Sequence, residues 1–126
     1  MIKYQKDIKL ENLVRCVILS LNMDYIKQDN VFIIRSFNTK TKAVARIYSI
    51  PSAIRYVMKI EPIYVIEIIS EKFDKLTYDE KVKVIIHELL HIPIGFTGGL
   101  RPHGDKVNER IVNKLFKKIN LENCIY

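Results

Sequence analysis

Tryptophan is absent from this 126-residue chain, and glycine and proline number only four each. So little backbone punctuation excludes collagenous, low-complexity and linker-rich classes. No run of about 18 apolar residues occurs, so no segment reads as a membrane-spanning helix, and no membrane partner is expected. The first residues, MIKYQKDIKLENL, contain no apolar signal core. Only two cysteines occur, Cys16 and Cys124, near opposite ends, in no CxxC pair and far in sequence from every histidine. Two free thiols in a reducing cytoplasm are the expectation, with one end-to-end disulfide as the alternative. No block of five like charges occurs either, which argues against a basic tail even though the formal charge is +7.

What is present fits one globular domain spanning residues 1–126, since the length falls within the usual single-domain range and 48% of residues are hydrophobic. The 15 lysines sit beside 21 isoleucines, so much of the positive charge reads as compositional habit. It still leaves a nucleic-acid partner open.

Residues 8–22 place Ile8, Leu10, Leu13, Val14, Val17, Ile18 and Leu21 at helical spacing. Residues 31–37 and 43–50 read as β-branched, aromatic strands separated by a polar turn, and Pro51 stops the second. Residues 54–60 alternate Ile54, Tyr56, Met58 and Ile60, which favours a third strand over a short helical turn. Residues 63–69, IYVIEII, form the densest β-branched run, with Glu67 expected to face solvent on an edge strand. Thr77 and Glu80 fit a capping box that opens a helix ending near Pro93. A loop with all four glycines follows, then an amphipathic helix capped near Asp105, with Val107, Ile111, Leu115 and Ile119 on one stripe. The expected class is α+β: an N-terminal helix, a sheet of three or four strands, then two helices.

The loaded feature is His87-Glu88-Leu89-Leu90-His91. Histidines four apart on a helix share one face, and their imidazoles can reach one Zn²⁺. Glu88, off the line of ligands, is placed to exchange a proton with a water activated there. The pair sits in an almost continuous apolar run, VIIHELLHIPI, where two partnerless imidazoles would be costly to bury. A catalytic zinc site needs three protein ligands and one open position. His103 is the one remaining histidine, reached across a glycine-rich loop, and Glu109 and Asp105 are its rivals. Arg101 is a softer candidate for holding an oxyanion or a substrate carboxylate, although a solvated loop position is the commoner use of such an arginine. Tyr64 and Tyr78 are candidates for an oxyanion hydrogen bond, although packing is the commoner use of such tyrosines. Strand 63–69 is the candidate for pairing with substrate main chain.

HELLHIP followed by GFTGGLRPHG, with PIYVIEIISEKFDKLTYDEKVKVII upstream, resembles a metallopeptidase family described from phages and archaea, over roughly residues 43–112. The resemblance implies a zincin-like fold, with one zinc ion held by His87, His91 and His103 and with Glu88 catalytic. A more distant similarity is to SprT-like zinc proteases, but their frequent cysteine-rich zinc ribbon is missing here. The expected activity is therefore hydrolysis of peptide bonds in a peptide or protein substrate. The alternative is a nucleic-acid-associated module whose zinc is structural or degenerate.

Overall fold

The computed structural model describes residues 1–124 and 126. Strand β1 (Lys3–Gln5) leads into helix α1 (Ile8–Ser20), capped by the Asp7 carboxylate, which accepts the N–H groups of Lys9 and Leu10. Strands β2 (Val31–Phe37) and β3 (Ala45–Ser49) follow, then helix α2 (Ser52–Met58), strand β4 (Tyr64–Ile69), the single turn α3 (Ser70–Phe73), helix α4 (Tyr78–Leu90) and helix α5 (Glu109–Phe116). The four strands form one mixed sheet in the order β1-β2-β4-β3, in which β2 and β4 run parallel and the outer pairs antiparallel. This is the expected α+β class.

Ile33, Tyr64, Ile66 and Ile68 point from the sheet into one core with Leu10, Leu13, Val14 and Val17 of α1 and Val82, Ile85, Ile86 and Leu89 of α4. Each such side chain contributes about 1.5–3 kcal/mol on burial. The α4 periodicity therefore seats one face against the sheet and sets the register of His87 and His91 above it. Its start is the expected capping box: Thr77 Oγ1 accepts the Glu80 N–H, and the Glu80 carboxylate accepts the Thr77 N–H.

Four expectations need correction, and one strand was not foreseen. Residues 52–58 form α2 rather than a strand. None of its residues is buried, so the alternating pattern there records exposure and not a sheet face, and Lys59 closes the helix in the left-handed conformation (φ 56°). Residues 3–5 form an edge strand too short and polar to signal itself. The last helix is capped by Asn108, not near Asp105: the Asn108 side chain accepts the Ile111 N–H. Glu67 lies on the central strand, fully buried, not on a solvent-facing edge. It is paired with Arg46 Nε at 2.8 Å and accepts the Tyr48 hydroxyl at 2.5 Å from the neighbouring strand. Finally, Cys16 and Cys124 are not free thiols. They form a disulfide joining α1 to the C-terminal segment, with Cα atoms 5.5 Å apart.

Candidate metal centre

Helix α4 ends at Leu90, with His91 as its C-cap, so the HExxH residues occupy its last turn. There the chain is free to leave the helix and return over it. The return is held by Arg101. Its backbone N–H bonds the His91 carbonyl at 2.7 Å, and its guanidinium donates twice to the Leu90 carbonyl, at 3.0 and 2.8 Å. These carbonyls are among those a helix end leaves without partners. Arg101 therefore faces the helix end and not a substrate oxyanion.

Two residues later His103 meets the helix pair. His87 Nε2 and His103 Nε2 lie 2.9 Å apart, and the three rings pack with centroids 4.7 to 5.2 Å from one another. One ligand atom from each of His87, His91 and His103 falls within 4.8 Å of the other two. Two nitrogens sharing a tetrahedral ion at roughly 2.1 Å each lie about 3.4 Å apart, so the group matches what one ion needs after a small parting of His87 and His103. His91 Nδ1 lies 2.6 Å from the Arg101 carbonyl, which can only accept. Nδ1 therefore carries the proton and Nε2 keeps its lone pair for a ligand.

The three imidazoles differ in exposure: His91 is buried, His87 half-buried and His103 exposed. Burial, and then the nearness of His91 and His103, lowers the His87 pKa and favours the neutral form that ligation requires. Glu88 is 7% exposed. Burial, with no compensating donor among the described residues, pushes its carboxyl up to about 7. A cation held by the histidines would draw it down again.

The histidines and Glu88 open into a cleft of about 860 Å³, lined also by residues 43–47 and by Val84, Leu100, Glu109, Val112 and Asn113. Glu109 shares the cleft, but among the described residues its carboxylate stands outside the ligand group, as does that of Asp105. The expectation that strand 63–69 could pair with substrate is overturned, because β4 is bonded on both edges. On this side of the sheet the free edge belongs to β3, while β1 forms the opposite edge. Val44 uses its carbonyl to accept the Ile69 N–H, so alternation turns the N–H and C=O groups of Ala45 and Ile47 outward, on the strand that walls the cleft. Sequence reasoning missed this edge because only sheet order distinguishes an edge from a centre.

Tyr64 is also placed away from any reacting atom. It is fully buried, and its hydroxyl accepts the Gly98 N–H at 2.8 Å and donates to the Gly99 carbonyl at 2.9 Å. Tyr78 directs its hydroxyl to the Cys124 carbonyl.

No curated protein and no solved structure matches the chain. One family, described as "Putative phage metallopeptidase", matches residues 2–120, nearly the whole chain and including all three histidines. A motif on the last turn of a capped helix, a returning third histidine and a match of this extent agree: the chain belongs to this phage metallopeptidase family.

Proposed function

We propose that the protein is a zinc-dependent peptidase that hydrolyses peptide bonds of a peptide or protein substrate in the cleft. The observation that carries this reading is the Glu88 carboxyl, buried and without a donor among the described residues, bordering an open cleft beside the three-histidine group. A purely structural zinc site is closed by four protein ligands and has no use for such a carboxyl.

His87, His91 and His103 would hold the ion, and three imidazoles with a position left open suit zinc. When bound, zinc supplies Lewis acidity at a carbonyl oxygen and lowers the pKa of a water toward roughly 7. Glu88 accepts the proton of the attacking water as its oxygen bonds to the carbonyl carbon. The same carboxyl then delivers that proton to the amide nitrogen as the C–N bond breaks, releasing an acid and an amine. The outward N–H and C=O groups of Ala45 and Ile47 hold substrate main chain as an added strand, which gives affinity with little side-chain selectivity.

The test is digestion of an unbiased peptide library with added zinc, wild type beside Glu88→Gln. Wild type should cleave, and the variant should keep its zinc while losing at least about 100-fold in rate. Equal cleavage by both would indicate a contaminant, and silence from fully zinc-loaded wild type would sink the reading. Retention on DNA that collapses at modest salt would instead favour the nucleic-acid module that the +7 charge leaves open.

A further inference from the structure

We propose that Arg101 is a positioning residue for two ligands at once: it sets the ring tautomer of His91 and delivers His103 to the group. The proposal rests on the reading of those histidines as metal ligands. The loop joining them is anchored in two distinct ways. Its middle is held by Tyr64, through Gly98 and Gly99, and by the Arg55 guanidinium, which donates to the Thr97 carbonyl at 3.2 Å. Gly98 has φ +100°, a conformation that residues with a side chain rarely adopt, so glycine suits this crossing beside the Arg55 guanidinium. These anchoring hydrogen bonds involve Thr97, Gly98 and Gly99 and not a histidine.

Arg101 anchors the loop's end, and each of its polar groups has a partner at the end of α4. The guanidinium takes the Leu90 carbonyl, the N–H takes the His91 carbonyl, and the C=O receives the His91 Nδ1 proton. The side chain thus clamps the segment whose carbonyl decides which His91 nitrogen stays free for a ligand. Only Pro102 separates this clamp from His103, and the proline ring fixes its own φ near −65°. His103 is exposed, and among the described residues its ring bonds only His87, so its approach depends on where residue 101 is held. A helix-end cap and a ligand-orienting carbonyl are here one residue.

The experiment reads the metal-free protein first. Nitrogen-detected NMR, at a pH where imidazole is neutral, should show His91 as the Nδ1–H tautomer in wild type. Arg101→Ala should mix the tautomers and weaken zinc binding by about 10–100-fold in a chelator competition. Arg101→Lys, which keeps one donor and serves if the alanine variant does not fold, should fall between. Tyr64→Phe loosens the middle of the same loop, so it should lower thermal stability while leaving tautomer and zinc affinity near wild type. A folded Arg101→Ala protein with His91 still fully Nδ1–H would overturn the proposal, as would Tyr64→Phe moving both readouts equally. Failure of wild type to bind zinc would count against the peptidase reading, whereas the tautomer result stands apart from it.

Discussion

Glu67 and the histidines show how single side chains depend on partners that sequence distance hides. The Glu67 carboxylate is buried on the central strand, where burial by itself would raise its pKa. The hydrogen bond from Arg46, with help from Tyr48, outweighs that and holds it below the usual value of 4.5. The folded state thus favours the ionised form. The resulting stability is fully present above about pH 4.5 and fades as pH falls through the lower folded value. Glu67→Gln should lose that charge-assisted pair, lowering stability by about 1–3 kcal/mol at neutral pH, with a smaller difference in acid. Urea unfolding at both pH values checks it, and a pH-independent difference would contradict the ion-pair account. At the metal group, His103→Ala should lower zinc occupancy in metal analysis, while Glu109→Ala should leave it unchanged. The reverse pattern would move the third ligand to α5.

Among elements, β3 and α4 divide the cleft between them. Helix α4 carries the HExxH residues to the cleft because its capping box fixes where it begins, and thirteen residues later it delivers His91 to its C-terminal end. Strand β3 supplies a free edge. Ala45 opens this strand with its N–H turned outward, so proline there removes a donor from the cleft and none from the sheet. Ala45→Pro should therefore keep the fold and the zinc content but reduce kcat/KM on peptides by about 10-fold, the value of one lost main-chain hydrogen bond. An unchanged kcat/KM would mean that substrate does not pair with this edge.

On the scale of the molecule, the Cys16–Cys124 disulfide spans 108 residues and ties α1 to the C-terminal segment. A crosslink across so long a stretch restricts the unfolded chain strongly. Replacing both cysteines with serine should cost about 2–5 kcal/mol. The metal group is built from α4 and the loop after it, so zinc affinity below the unfolding transition should be unaffected. Denaturant titrations of the oxidised and serine proteins, with zinc competition run alongside, test both halves. A serine protein of equal stability would show that the bond does not stabilise this fold.

The sequence alone determined what is local. Helical periodicity announced α1 and α4, because one turn sees only residues three and four away. The capping box set the start of α4, and four-residue spacing put His87 and His91 on one face beside Glu88. That the third partner would be His103 was open between three residues, since a glycine loop allows many returns. The tertiary structure decided that return through bonds between Arg101 and the end of α4. It also decided everything that depends on strand order: β4 inside the sheet, β3 at the edge beside the cleft, and Glu67 meeting Arg46 across a strand pair. Sheet order pairs residues by global packing, and the same alternating pattern serves an edge, a centre or, as α2 shows, an exposed helix.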